Sequence, residues 1–549
     1  MSEKQKRRNN FLMQGGILAA AGIISRLIGI LYRIPMVAII GDAGMGVYST
    51  AFSIYNILLL ISSYSLPMAV SKLVSAKLSL KQYRNVRQLF LLSFLFGAAM
   101  GLAAALIMVF GADFLAGTVM AMPKAALAVR TLAPTVFIMG MLGVVRGFFQ
   151  GHGTMIPTAV SQILEQILHV VISVLAGYLL FRKGLARDAG GASYYSTIYG
   201  AAGATVGTGV GALTALLFVG FIYLLYRKTL IARCEKDVSG QLDPPGETLR
   251  IIALTAFPIL ISAAIANIST LIDQSIYGHY MGAANLEEYE QIWGVYTSKY
   301  SLLINVPIAI ASALSASTLP SVSAAMARGN LEETKEKASK AIRVIVMIAM
   351  PASAGLLALG KPCFDLIFRT GNNVLAGQMM AVGSFAVLTF SLSTVCVGIM
   401  QGCGFYWEPI KNYVLAMATH IPLLFLALYV LKWEIRAVVV CYVLYALACC
   451  VFNLISLHKT IGYRQEWLKT FVLTGAASLI MGGAAYGCYK LLYSLGLRNT
   501  ISLIGSILVA IAVYFALLCL LKAVGEEELN SLPKGAALAR LARKLRLIR

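Results

Sequence analysis

Charge is what this chain has least of. Only 12% of its 549 residues are Asp, Glu, Lys or Arg, against the ~25% that covers a typical soluble domain. Hydrophobic residues make up 59% of the chain and mean hydropathy is +0.79. So little charge excludes a soluble globular protein. The nine cysteines form no CxxC pair, and most lie inside apolar runs. They read as small packing residues, and neither a disulfide framework nor a metal site is expected. The five histidines show no HExxH spacing and there is no Walker A pattern, so nothing suggests a bound metal, a cofactor or nucleotide hydrolysis.

Acidic residues are scarcer than basic ones, 23 against 45, for a formal net charge of +22. Such an excess can signal nucleic acid, but here the lysines and arginines fall mainly in alternate loops, as the positive-inside rule requires. No nucleic-acid partner is expected; membrane lipids are.

What the chain has in quantity is apolar runs long enough to cross a hydrocarbon core of ~30 Å as helices. A lipid-facing strand or loop would strand its backbone polar groups, so the fold class is all-α, a polytopic membrane protein. We read fourteen transmembrane helices, at roughly 11–40, 46–70, 88–111, 127–148, 156–181, 196–226, 249–278, 293–321, 339–366, 377–401, 410–431, 436–457, 470–493 and 500–522. LAAAG in the first run resembles a cleavage site, but the run continues well beyond it, and a retained first span is expected. With the N-terminus in the cytoplasm, 31 basic residues lie at the cytoplasmic side and 11 at the outer side, with Arg26, Arg33 and Lys299 inside spans. The split selects that orientation, with both termini inside. The loop that opens with Arg182, Lys183 and Arg187 is its main exception.

The chain also repeats itself. GFFQGHGTMIP at 147–157 matches GIMQGCGFYWEP at 398–409, and SLPMAVSKLVSAK near Pro67 matches TLPSVSAAMARGN near Pro320, at offsets of 251 and 253 residues. Two unrelated motifs at nearly one offset imply duplication of a six-span unit. Each motif returns on the same membrane side, as in parallel repeats, and transporters commonly bind substrate between such repeats. The organisation expected is an N-terminal lobe at 1–226, a cytoplasmic linker at 227–248, a C-terminal lobe at 249–457, two appended helices within 458–524 and a basic tail at 525–549. The two lobes are pseudo-symmetric. The tail ends in ARLARKLRLIR, which suits an anionic lipid surface or a protein partner.

Four segments carry a family resemblance: ISRLIGILYRIPMVAIIG at 24–41, LPMAVSKLVS at 66–75, VVRGFFQGHGTMIPTAVSQILEQI at 144–167, and SKYSLLINVP through TLPS at 298–321. With these the chain resembles the MOP superfamily of multidrug, oligosaccharidyl-lipid and polysaccharide exporters, and is most similar to its MurJ-like branch, which includes YtgP and SpoVB. The resemblance covers essentially the whole chain. It implies a two-lobed fourteen-helix fold, a transporter rather than an enzyme, and alternating-access export of a lipid-linked saccharide, most readily lipid II for peptidoglycan synthesis. The location implied is the bacterial cytoplasmic membrane, with cell-wall synthesis proteins as partners. Cavity arginines on the first helix, required in that branch, fall at Arg26 and Arg33. The Gram-negative pattern is departed from in span 2, where ILLLISSYSLP has no arginine, and in span 8, where Lys299 is the nearest cation.

The residues themselves point the same way. Arg26 and Arg33 are seven apart, on nearly one helical face, with Gly29 between them leaving room for a ligand. A guanidinium suits two-pronged binding of phosphate; the alternative is that Arg33 snorkels and Arg26 pairs with a helix carboxylate. Asp273 and Lys299 lie at one depth on consecutive antiparallel spans, as a structural ion pair or as a switch that opens in transport. Gln162, Glu165 and Gln166 form a polar stripe on span 5, where Glu165 either takes a proton or glues helices together. Arg146 and the two GxxQGxG elbows read as tight turns, or as an entrance where Arg146 attracts an anionic headgroup. Inside the spans three cations stand against two carboxylates, which favours an anionic substrate. Other classes stay open: a capsule or spore-envelope glycan exporter, a MATE-like multidrug or cation antiporter, and a non-transporting scaffold. The driving force expected is an H+ or Na+ gradient or the membrane potential. The topology predicts that single cysteines at Ser193, Asn285 and Asn499 label from outside, and those at Asn330 and Ser531 only from inside. The reverse pattern would invert the orientation.

Overall fold

The computed structural model describes residues 20–521, apart from 23, 26, 61, 63–65, 189–192, 236, 238–241 and 283, with helix backbone alone at 258, 259 and 261–266. Among the described residues there is no strand. Eleven helices among those residues are long and apolar enough to cross a membrane, or twelve if one pair bent by 54° is a single span. This is a multi-pass helical membrane protein. Much of the expected first span and all of the basic tail at 525–549 lie outside the described residues.

The chain divides into two compact units, Met1–Ser298 and Lys299–Arg549. The first contains α1 (Arg33–Leu59), α2 (Leu66–Ser79), α3 (Tyr83–Phe110), α4 (Ala126–Gly151), α5 (Ile156–Leu185), α6 (Tyr194–Glu235), α7 (Pro245–Gly282) and α8 (Leu286–Val295). The second contains α9 (Ser301–Ala327), α10 (Leu331–Ile367), α11 (Asn373–Gly383), α12 (Ala386–Gly402), α13 (Trp407–Phe425), α14 (Ile435–Ile461), α15 (Thr474–Ser494) and α16 (Asn499–Leu520). The boundary differs from the linker at 227–248 because α7 packs on α1, α2 and α3, and α8 packs on α1. The repeat marks how the sequence doubles; the units mark what packs together.

Element ends follow local chemistry. The loop expected between the first two spans is reduced to one residue, Gly41, where φ of 70° and ψ of −179° break α1 into two helices. Glycine takes that conformation without a Cβ clash. The sequence Asn-Leu-Glu-Glu opens both α8 and α10. In each the asparagine side chain accepts the N–H three residues on, from Glu288 and from Glu333, as an N-cap does. The two GxxQGxG motifs form the same elbow. Gly153 and Gly404 both have positive φ, 77° and 89°, and the next residues close the turn alike: Thr154 N–H donates to Phe149 O, and Phe405 N–H to Met400 O. In the second unit α15 and α16 pack on each other and on α10. α16 turns Ile501, Ile504, Leu508 and Ile511 outward and exposed, a face suited to lipid.

The firmest helix pair is α5 on α6. Gly203, Gly207 and Gly211 of α6 recur every fourth residue and bring its backbone against α5. A Cβ on Gly203 would stand 2.5 Å from Ala176 O, and one on Gly211 2.5 Å from Glu165 O. Small residues at such spacing are how helices approach closely without a hydrophobic driving force. Gly220, further along α6, has nothing within 4 Å of that position. Gly203→Ala should therefore destabilise the protein by about 1–3 kcal/mol, the usual cost of overpacking, while Gly220→Ala should not. Thermal unfolding in one detergent measures both, and equal melting temperatures would refute the seam.

Candidate functional site

The polar groups of the first unit gather along α5. The helical segment before α1 runs beside it, in the same direction, in three rungs. Ser25 Oγ donates to Gln162 O at 3.5 Å; a Cβ on Gly29 would meet Gln166 Oε1 at 3.6 Å; the rings of Tyr32 and His169 lie 4.9 Å apart. Rungs at 162, 166 and 169 are one face of α5, because residues three and four apart are helical neighbours. His169 extends the stripe by one turn. The i, i+7 spacing from Gln162 would have found it in the sequence. Its Nε2 is 3.4 Å from Thr208 Oγ1, and the hydroxyl of Tyr32 bonds that of Tyr48.

Arg33 follows this ladder, at the start of α1. Its guanidinium donates to Thr297 O at 2.9 Å, within the π-helical turn Tyr296–Tyr300 that follows α8. Turns of this kind interrupt the regular hydrogen-bond ladder and are frequent at functional sites. Thr297 Oγ1 donates to Ser49 Oγ at 2.9 Å. Arg33 is only half-buried, and among the described residues no carboxylate pairs with it. Gln162 Oε1 is buried and accepts no hydrogen bond among the described residues. Arg26 lies outside the described residues.

Arg146 and Glu165, singled out separately in the sequence, are partners. Arg146 Nη2 donates to Glu165 Oε2 at 2.8 Å, with side chains 10% and 17% exposed, and Arg146 Nε donates to Ser161 Oγ at 2.9 Å. Stepping 251 residues along the repeat replaces Arg146, Ser161 and Glu165 by Val397, Asn412 and Ala416. Asn412 there joins a neutral network, donating to Asn453 Oδ1 at 2.8 Å and to Ser456 Oγ at 2.9 Å. The elbow forms in both copies, so the ion pair is not needed to build it.

Asp273 belongs to the first unit and is buried. Lys299 belongs to the second, where its buried ammonium donates to Thr370 O at 3.1 Å and lies 5.6 Å from the ring of Phe368. Sequence reading missed another buried pair, Lys124 to Glu290 at 2.8 Å, 7% and 1% exposed. The cation comes from the short turn before α4 and the carboxylate from α8, 166 residues on, a separation no local pattern reports.

The Arg146–Glu165 pair generates a prediction. Removing either partner leaves a largely buried charge uncompensated, at about 3–5 kcal/mol, so Arg146→Met and Glu165→Gln should each destabilise the protein more than the double change does. Strictly additive losses in the thermal unfolding of the three variants would show that the two do not interact.

Comparison with known proteins places the family and the fold. Residues 11–326 match the model of the polysaccharide biosynthesis protein family. The chain is 25% identical over 548 residues to the uncharacterized membrane protein YabM of Bacillus subtilis (strain 168), covering 98% of each. It is 24% identical to the lipid II flippase MurJ of the same organism, over 86% of this chain and 87% of the relative. Among solved structures, a lipid II flippase MurJ in an inward closed conformation superposes with a TM-score of 0.66 at 14% identity, covering 91% of this chain and 97% of that one. An inward-facing multidrug resistance MATE transporter of the MOP superfamily gives 0.63 at 16%, covering 80% and 94%. The fold is thus that of MurJ and MATE proteins, and with more than half of its length matched by the family model, this multi-pass membrane protein belongs to the polysaccharide biosynthesis protein family.

Proposed function

We propose that this protein is a flippase that carries a polyprenyl-diphosphate-linked saccharide, lipid II before others, from the inner to the outer leaflet of the bacterial cytoplasmic membrane by alternating access. The observation that carries it is Arg33, a cation on a membrane helix with a neutral carbonyl for a partner and a polar stripe beside it. A charge at bilayer depth costs ~2.5–3.5 kcal/mol or more, and an anionic ligand offsets that cost. A guanidinium bonded at one nitrogen keeps other N–H groups for phosphate oxygens. The unsatisfied acceptor of Gln162, buried in this conformation, suits a sugar hydroxyl once the lobes move. Arg26 completes the phosphate grip in this reading, and Gly29 leaves it room.

The Arg146–Glu165 pair and the Asp273 and Lys299 side chains are the groups we assign to gating or ion coupling. In the absence of a nucleotide motif, an H+ or Na+ gradient or the membrane potential drives the cycle. The potential is worth ~2.3 kcal/mol per charge per 100 mV. Both termini are cytoplasmic in this reading. A second reading, a drug or cation antiporter, is favoured by the MATE-like fold, but such a substrate would need unpaired carboxylate beside the stripe, and Glu165 is held by Arg146.

Reconstituted vesicles test the proposal. Wild-type protein should translocate lipid II, and a capsule-type lipid-linked glycan in a parallel assay reports selectivity. Arg33→Ala should weaken binding of undecaprenyl diphosphate roughly 10- to 100-fold, the worth of hydrogen bonds to a charged group. Arg33→Lys should rescue little, since an ammonium lacks the planar fork. Unchanged diphosphate binding in Arg33→Ala, or saturable ethidium export by the wild type, would sink the flippase reading. Additive transport defects in a cycle of Asp273→Asn and Lys299→Met would remove that pair from the coupling scheme.

A further inference from the structure

A second site is built where α3 meets the end of α6. The α6 helix has 42 residues, roughly 60 Å at 1.5 Å per residue, about twice the ~30 Å of a hydrocarbon core. Its last turn therefore stands clear of the apolar layer. There it borders an open groove of about 500 Å³ with the first turns of α3 and Leu242, within the ~300–1,000 Å³ range of small-molecule sites. The walls are of two kinds. Arg84 and Arg87 supply cations at one level, and Leu91 and Leu92 supply an apolar surface up to two turns further along the same helix, facing Ile231. Seven residues of helix from Arg84 to Leu91 span about 10 Å, the step from a headgroup to its acyl chains.

The segment around the groove is pinned. The Arg84 backbone N–H donates to Asp237 Oδ2 at 2.6 Å, and Arg84 Nε donates to Cys234 O at 3.2 Å. Gln88 Nε2 donates to Asp243 O at 2.7 Å. The Asp243 N–H donates to Asn85 Oδ1 at 3.0 Å, and Lys77 forms an ion pair with the Asp243 carboxylate. Asp243 is thus offset by Lys77, and Asp237 is held by the backbone of Arg84. Arg87 makes no hydrogen bond or ion pair among the described residues. The remaining carboxylate in the lining is Glu235.

We propose that this groove binds one monoanionic phospholipid with a hydroxylated headgroup, of the phosphatidylglycerol type. Counted over the lining alone, two guanidinium groups against one carboxylate leave a single positive charge, which matches a phosphodiester. Glu235 accepts from headgroup hydroxyls and repels a second negative charge, so a phosphate monoester or a diphosphate fits less well. The leucine wall takes the start of an acyl chain, which no soluble anion would use. The site is independent of the proposed flippase activity.

Native mass spectrometry of the full-length protein, delipidated and returned to defined lipids, tests it. One phosphatidylglycerol should be retained in preference to phosphatidylcholine and phosphatidic acid. Arg87→Ala should weaken its binding about fivefold, the effect of one basic residue at a lipid surface, and Lys459→Ala, a basic change elsewhere, should leave it unchanged. Leu91→Trp, which narrows the groove without touching charge, should weaken it as well, so the test survives if Arg87→Ala lowers folding. Equal retention of phosphatidylcholine, or binding unchanged in both Arg87→Ala and Leu91→Trp, overturns the site. Displacement of the lipid by inorganic phosphate alone overturns the lipid assignment in favour of a soluble anion.

Discussion

The approach of α5 to α6 is the constraint on which the first unit depends. With glycine at 203, 207 and 211 of α6, the two backbones meet at distances that no side chain permits, and Gly211 abuts the carbonyl of Glu165 itself. Contact so close fixes α5 in rotation as well as in position, because the α6 glycines abut particular backbone atoms of α5, Ala176 O and Glu165 O. The stripe of Gln162, Gln166 and His169 is thereby turned toward the segment that carries Ser25, Gly29 and Tyr32, and Arg33 follows at its end. A site on rigid helices holds its geometry better than one on loops, and this site inherits its geometry from a seam of small residues and backbone contacts.

The low dielectric of a membrane interior sorts the charges that remain. Lys124 and Glu290 neutralise one another where both are nearly sealed from solvent, and Arg146 and Glu165 do the same beside the elbow. Arg33 differs, since its partner is a carbonyl. An ion pair satisfies itself, whereas a cation held by a neutral acceptor retains its charge for a ligand. The two repeat copies make the same point by divergence. One elbow has kept an ion pair at the position where the other has an asparagine network, although the turn geometry is shared. The charge therefore serves something other than the turn, which is why it enters the proposed gating scheme.

Several features were legible in residue order because they rest on local or additive physics. Scarcity of charge and length of apolar runs decide all-helical membrane insertion whatever the packing, and a family model over residues 11–326 agrees with the resemblance read from four motifs. The 251-residue repeat in the sequence became two elbows with matching hydrogen bonds, since glycine with positive φ is a local requirement. That Gln162 and Gln166 share a face of α5 was legible from helical periodicity, whereas Glu165, read into the same stripe, turns to Arg146 and His169 takes its place.

Tertiary structure decided the partnerships. Nothing local says that Arg146 reaches Glu165 across two helices, that Lys124 finds Glu290, 166 residues away, or that Thr297 offers its carbonyl to Arg33. It also decided the boundary of the compact units, at Ser298 rather than at the linker, because packing of α7 and α8 on the first helices outweighs the sequence symmetry. Helix formation and membrane insertion are governed by neighbours a few residues apart and by summed hydropathy, which a sequence carries openly. Ion pairs and close backbone approaches join residues that only the folded chain brings within a few ångströms.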